Sequence, residues 1–248
     1  MKHDILILGA GYTGSRAAAL FEGHRVVETH RDRPVQVVLP NLSNVLALGG
    51  SEWRVLWCAP SVDGIEALKG FAARVVYLST TGVYGDAHFV DESTSPAPTT
   101  GRTQARLDAE RVVQAGPWSS CVLRPAAIYG PGRGAHESIR AGKWRIAGDG
   151  SAYTSRIHVD DLAAIAAAAL RSDIDGEWPV ADDEPSTNLE ITQFCCELLG
   201  EPLPPSADAA ALDETRRADR RVDGRAIRDA LHVPLRYPSY RVGVPAAL

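Results

Sequence analysis

Lysine is nearly absent from this chain. Of its 26 basic residues only Lys2, Lys69 and Lys143 are lysine, and the rest are arginine. Chemistry that needs an ammonium able to lose its proton is confined to those three positions, because a guanidinium stays charged and acts as a fixed cation. Cysteine is also scarce. Cys58, Cys121, Cys195 and Cys196 show no paired metal-ligand spacing, and adjacent Cys195 and Cys196 sit in an apolar helical pattern as small packing residues. No metal site is expected, and this usage suits a reducing cytoplasm. The longest apolar stretch, AAIAAAAL at 163–170, is far short of a membrane span, and the N-terminal apolar run meets glycine too soon for a signal-peptide core. A formal charge of −5 with interspersed signs leaves no basic footprint for nucleic acid. The expectation is a cytoplasmic protein with a small-molecule substrate and neither membrane nor nucleic-acid partners.

What is present is a large apolar complement, 45% of 248 residues, enough for one sizeable domain or a domain with a small lobe. DILILG (4–9), RVVET (25–29), WRVLWCA (53–59), RVVYLST (74–80) and SCVLRPA (120–126) are apolar on both faces, as strands of a covered parallel sheet are. Helical patterns intervene at Ser15–Glu22, around Ile65–Phe71 and at Arg102–Gln114. The alternation predicts a doubly wound α/β sheet with helices on both faces. Beyond Tyr129 the pattern loosens: GPGRGAHESIRAGKW is glycine-rich and polar, and DDLAAIAAAALRSD reads as an alanine helix buried between layers. Thr187 with Glu190 forms a capping box for NLEITQFCCELL. DETRRADRRVDGR (213–225) reads as a solvated charged segment, and PLRYPSYRVGVPAAL, with three prolines, cannot be one helix.

ILILGAGYTGSRAAALFE places Gly9, Gly11 and Gly14 between an apolar strand and an alanine-rich helix. In this context the first glycine makes the tight turn, the second admits a diphosphate to the backbone, and the third lets helix pack on strand. Tyr12 and Thr13 complete the loop, whose amides face the phosphates at a helix N-terminus. The end of the second strand reads ETHRDR. His30 stands where an acid would hold a ribose hydroxyl, and Arg31 follows as a partner for a 2′-phosphate, so NADP is favoured over NAD. Glu28, inside the strand, keeps NAD open, and Arg31 and Arg33 are alternatively ordinary surface arginines.

With the glycine turn, YLSTTGVYG (77–85), LRPAAIYGPGR (123–133), RIHVDDLAAI (156–165) and PVADDEPST (179–187) follow in order. Together they resemble the extended short-chain dehydrogenase/reductase family, the NAD(P)-dependent epimerase/dehydratase group, over nearly the whole chain. The resemblance implies a Rossmann domain from 1–132 with 156–182 and a small substrate lobe from 133–155 with 183–248. It further implies hydride transfer at a sugar carbon or a similar alcohol or carbonyl, and a homodimer through the helix at 102–114. Thr80 would hydrogen-bond the reacting oxygen, flanked by Ser79 and Thr81. Ala59 with Pro60, and Pro125 with Ala126, match cofactor-contacting segments.

The family's acid/base is a tyrosine with lysine four positions later, the lysine lowering the phenol's pKa. The matching stretch is PTTGRTQARLDAER (98–111). Aligning Glu110 puts Arg102 and Arg106 at the two positions; matching Gly101–Arg102 instead puts Thr100 and Gln104 there. None of the seven tyrosines has lysine four residues on. Arg106 can hold ribose hydroxyls or phosphate but is a poor proton donor, and Arg102 cannot replace a phenol. The chain thus resembles atypical members that keep the cofactor turn and lack the tyrosine. Substitute acids are Tyr84, Tyr129 and Tyr153. His158 reads as a structural hydrogen-bonder, Asp160 and Asp161 as helix-start residues, and Asp91 and Glu92 as a solvated loop or the rim of a substrate entrance. Arg133, Arg156 and Arg221 are candidates for gripping an anion, or surface residues. Two readings stay open. One is an NADP(H)-dependent oxidoreductase or epimerase/dehydratase-like enzyme built around Thr80, Ser79 and Tyr84. The other is a non-catalytic NADP-binding sensor.

Overall fold

The computed structural model describes residues 3–29, 50, 52–212 and 218–248. In chain order the first half contains β1 (Ile5–Leu8), α1 (Gly14–Ala18), β2 (Val26–Glu28), β3 (Trp53–Trp57), β4 (Ala72–Leu78), β5 (Phe89–Val90) and α2 (Gly101–Gln114). There follow β6 (Ser119–Pro125), β7 (Ala127–Tyr129), α3 (Ala135–Arg140), β8 (Ile146–Ala147), β9 (Tyr153–Thr154), β10 (Arg156–His158) and α4 (Val159–Arg171). The last part holds β11 (Gly176–Val180), β12 (Ser186–Thr187), α5 (Asn188–Leu199), β13 (Ser206–Ala207), β14 (Arg221–Val222) and the helices Arg225–Leu231 and Tyr240–Ala246.

Among the described residues six strands form one sheet in the order β11-β6-β4-β3-β1-β2, and each neighbouring pair is parallel. Alternation along the strands sorts their side chains. Ile5 and Ile7 face one side with Leu56, Val76, Leu78, Cys121 and Leu123, where α1 and α4 cover them. Leu6 and Leu8 face the other with Val55, Trp57, Val75, Tyr77 and Val122, beneath Ala109 and Val113 of α2 and the turn at Ile65–Leu68. Both faces are apolar because both are roofed, which is why the strands read as unbroken apolar runs. The alanines of α4 let it lie close to the sheet, with Ala163, Ala166, Ala167 and Ala169 fully buried.

The small C-terminal lobe has its own core. Tyr129, Ala135, Ile139, Ile191, Cys195, Cys196, Tyr240 and Val244 pack where α3, α5 and the Tyr240–Ala246 helix meet. The expected capping box is present: Thr187 Oγ1 accepts from Glu190 N at 3.1 Å, and Glu190 Oε2 accepts from Thr187 N at 2.7 Å. Gly200, at φ +69°, ends α5.

Three expectations are corrected. The helix at Ser15–Glu22 spans only Gly14–Ala18, because Leu20 N and Phe21 N bond back three residues to Ala17 and Ala18 and tighten the chain into turns. The pattern at Ile65–Phe71 is a single 3-10 turn, Ile65–Leu68. The charged segment is not wholly solvated. Residues 213–217 lie outside the described residues, but Arg220 is 8% exposed and Arg221–Val222 pair in parallel with Phe89–Val90.

Candidate cofactor and substrate site

The three glycines of the first turn divide their tasks sterically. Gly9 has φ +84°, and a Cβ there would lie 3.1 Å from Ala59 N. A Cβ on Gly14 would lie 2.7 Å from Gly9 O and 3.2 Å from Ile7 Cγ2, so helix and strand touch there. A Cβ on Gly11 would meet nothing within 4 Å. Two glycines are required by the protein's own packing, and the third faces open space. Thr29, just after β2, ties the turn down: its Oγ1 accepts from Gly9 N at 2.8 Å and its carbonyl from Ala10 N at 2.7 Å. Thr13 is buried beside α1, and the Tyr12 hydroxyl donates to Pro131 O at 3.1 Å. The guanidinium groups of Arg16 and Arg133 lie 4.4 Å and 5.4 Å from the Tyr12 ring centre. His30 and Arg31 lie outside the described residues.

A cavity of 530 Å³ opens at the C-terminal ends of β4 and β6. It brings together Ser79, Thr80, Arg106, Pro125 and Ala126 from the sheet side, with Arg102 from the start of α2 and Tyr153 and Arg220 from later in the chain. Ala59 and Pro60 follow β3, which lies next to β4, and the glycine turn follows β1, which lies next to β3. Neighbouring strands are spaced by about 4.8 Å, so three steps separate the turn from β6 by roughly 14 Å along one sheet edge.

Thr80 is half-buried and extended, and its Oγ1 accepts from Gly82 N at 3.1 Å, leaving its O–H free to donate. Ser79 is differently placed. Its Oγ donates to Glu110 Oε1, and Glu110 in turn holds Arg124 at 2.6 Å. Arg124 Nη1 donates to the Tyr84 hydroxyl at 3.2 Å. Glu110, Arg124 and Tyr84 are 1%, 4% and 1% exposed. Tyr84 therefore lies behind the cavity wall, and burial pushes its phenol above the ordinary value.

Arg106 directs its donors to the end of β4: Nη1 to the Tyr77 hydroxyl at 2.8 Å, and Nη2 to Leu78 O at 2.9 Å and Ser79 O at 3.0 Å. Tyr77 donates onward to Pro60 O at 2.9 Å, and burial pushes its phenol up to about 12. Arg220, which sequence reasoning missed, donates to Thr81 O at 2.9 Å, Ala87 O at 3.2 Å and Gly85 O. It pins the loop after Thr80 from the far end of the chain. No local pattern announces such a bond; the nearest signal was an arginine pair next to a valine.

The other candidates are distributed as follows. Tyr153 lines the cavity, with the Arg221 guanidinium 3.5 Å from its ring centre. Tyr129 is buried and donates to Ser239 O at 3.2 Å, and desolvation raises its pKa. His158 Nδ1 accepts from Asp160 N at 3.2 Å, and burial lowers the imidazole to about 4, so it is neutral at pH 7. Asp160 and Asp161 stand in the first turn of α4, as expected, and Asp161 is in addition buried and accepts from Arg236 N and Tyr237 N at 2.8 Å and 2.9 Å. Asp91 is exposed and bonds Ser93 and Thr94 of its own loop. Arg156 is buried on Thr154 O and Ser186 Oγ, Arg221 is stacked on Tyr153, and Arg133 lines the cavity.

Comparison with known proteins agrees with this architecture. The model of the NAD dependent epimerase/dehydratase family matches residues 61–180, which include Thr80, α2 and Pro125–Ala126. The chain is 34% identical over 113 residues to a 3-diazoavenalumate denitrifying reductase from Streptomyces sp, a match covering 43% of this chain and 37% of that protein. It thus spans little more than a third of that curated relative. A functionally unknown conserved protein from Silicibacter pomeroyi DSS is 32% identical with a TM-score of 0.82, covering 99% of this chain and 98% of the other. MoeE5, solved with UDP-glucose and NAD, shares the fold at 22% identity and a TM-score of 0.81, over 98% of this chain and 97% of its own. With both faces of a parallel sheet roofed, an open-faced glycine turn on its first strand and a cavity two strands away, the chain has a Rossmann-type fold, and its residues 61–180 match the NAD dependent epimerase/dehydratase family.

Proposed function

We propose that the chain is an NADP(H)-dependent enzyme of the atypical extended kind, an oxidoreductase or epimerase/dehydratase-like catalyst acting on a sugar-like or carbonyl/alcohol substrate. The observation that carries this is the open space at Gly11, between two glycines closed by packing, on the same sheet edge as a cavity containing Thr80. The turn fits a diphosphate. Gly9, Gly11, Tyr12, Thr13 and Gly14 would hold it, with Ala59 and Pro60 alongside. Because α1 has only five residues, its dipole is modest and loop amides would provide most of the attraction. His30 and Arg31 would take the 2′-phosphate, favouring NADP over NAD. A bound nicotinamide supplies or accepts hydride.

This chain's own residues would then do the following. Thr80 donates a hydrogen bond to the substrate oxygen. Pro125 and Ala126 form the wall against the nicotinamide. Arg106 holds the end of β4 in place and presents its remaining N–H groups to ribose hydroxyls. Ser79, fixed by Glu110, and Tyr84, fixed by Arg124, stiffen the loop that carries Thr80. The proton comes from Tyr153 or a water beside it, since Tyr153 is the phenol lining the cavity among the described residues. The cofactor side is assigned to 1–132 with 156–182 and the substrate side to 133–155 with 183–248. A reductive direction is supported by the Streptomyces relative, whose name describes a reductase.

Turnover of NADPH across a panel of aldehydes, ketones and nucleotide sugars tests the reading. Tyr153→Phe should slow a reactive substrate by about 10²-fold while leaving NADPH affinity unchanged. NADPH binding with no turnover on any class would favour the second reading, a non-catalytic NADP sensor, which the missing tyrosine–lysine pair supports. Partner binding that responds to the NADPH/NADP ratio would then be its signature.

A further inference from the structure

Ten arginines among the described residues are paired with carboxylates: Arg16, Arg25, Arg54, Arg74, Arg111, Arg124, Arg140, Arg225, Arg228 and Arg241. Arg156, Arg171 and Arg236 are not among them, and neither are Arg102, Arg106 and Arg133 of the cavity. Arg102, Arg106, Arg133 and Arg220 line it, and Asp86 is the acidic side chain among its described lining residues. Arg106 and Arg220 spend donors on backbone carbonyls. Arg102 and Arg133 do not: both are exposed, neither forms an ion pair among the described residues, and the first turn of α2 contains no acid. Arg133 is steadied by the face of Tyr12, which orders its plane while leaving its edge N–H groups to a ligand. Clustered charge of one sign in a concave, low-dielectric site focuses its field on the space between, and a guanidinium fork matches the geometry of an oxyanion.

We propose that the cavity takes a substrate bearing an oxyanion, a carboxylate or a phosphate monoester, gripped by Arg102 and Arg133. This deepens the substrate side of the preceding reading and rests on the cavity being the substrate site. The anion anchors one end of the ligand while Thr80 meets its reacting oxygen. Neutral substrates of the same shape are discriminated against, because they bring no counter-charge to two cavity-lining cations that form no ion pair among the described residues.

The test is calorimetric titration of the full-length protein, with and without saturating NADP⁺, using benzoate, phenyl phosphate and neutral benzyl alcohol as probes. At least one anion should bind in the presence of NADP⁺ at least tenfold more tightly than benzyl alcohol, and the preference between the two identifies carboxylate or phosphate. Arg102→Gln and Arg133→Gln should each weaken the preferred anion by about tenfold, one charge-assisted contact, without altering NADP⁺ affinity or the melting temperature. Equal binding of neutral and charged probes would overturn the proposal. So would no uptake of either anion at millimolar concentration, indifference to both substitutions, or competition between the anions and NADP⁺. Should the anions bind while NADP⁺ does not, the cofactor reading falls and the anion site stands.

Discussion

The two ends of α2 put charge to opposite uses. At Glu110 a carboxylate is almost wholly buried, and every neighbour answers it: Arg124 at 2.6 Å, the Ser79 hydroxyl, and Tyr84 through Arg124. At Arg102, two turns earlier on the same helix, a guanidinium stands exposed at the cavity with no acid in its turn. A buried charge is tolerated only when its partner is fixed beside it, so the Glu110 end belongs to the architecture. Arg102 has no ion pair among the described residues, and it is the charge proposed to meet a ligand. The same contrast separates Gly14, closed by contact with Gly9 O, from Gly11, which touches nothing.

The largest effect should come from breaking the buried pair. Glu110→Ala leaves Arg124 uncompensated and should cost about 3–5 kcal/mol in urea unfolding. Replacing both residues with methionine should recover much of that loss. Next is acid sensitivity. The folded pKa of His158 is lowered to about 4 from an ordinary 6.5, so the unfolded chain binds more protons between those values. Its contribution is therefore complete above about pH 6.5 and is lost as pH falls toward 4, by about 3 kcal/mol. Asp161 and Asp182, both raised by burial, act in the opposite sense. The clean observable is wild type against His158→Asn, which keeps a capping side chain without the titration: any advantage of the wild type at pH 8 should shrink or reverse by pH 5.

Smaller effects sharpen the glycine comparison. Gly14→Ala should destabilise by about 1–3 kcal/mol, because its methyl meets a carbonyl that cannot move without the turn. Gly11→Ala should leave unfolding unchanged or raise stability by less than about 1 kcal/mol, yet weaken NADPH binding at least tenfold. Smallest of all, Arg102→Gln should shift stability by no more than about 0.5 kcal/mol, in contrast to Glu110→Ala on the same helix.

Much of this was legible in the chain because it is written locally. Each of the five strands is a run of adjacent apolar residues, and all five match within two residues. The glycine turn and the Thr187–Glu190 box are short-range patterns with steric or hydrogen-bonding causes. What escaped sequence reasoning is long-range. Arg220 clamps carbonyls more than 130 positions earlier, and Asp161 meets amides about 75 positions later. Their partners are backbone atoms, which have no residue-type signature. Glu110 was visible only as an alignment anchor; its burial against Arg124 depends on how α2 lies across β6. Tyr84 was a reasonable acid by proximity to Thr80, but proximity along the chain could not reveal that its hydroxyl faces Arg124 and not the cavity.

Calorimetric titration of the purified protein with NADPH and NADH tests the central claim most directly. The account predicts one site, with NADPH bound more tightly than NADH and binding weakened at least tenfold in Gly11→Ala at unchanged stability. Failure of both nucleotides to bind at millimolar concentration, or binding indifferent to a side chain at Gly11, would contradict it.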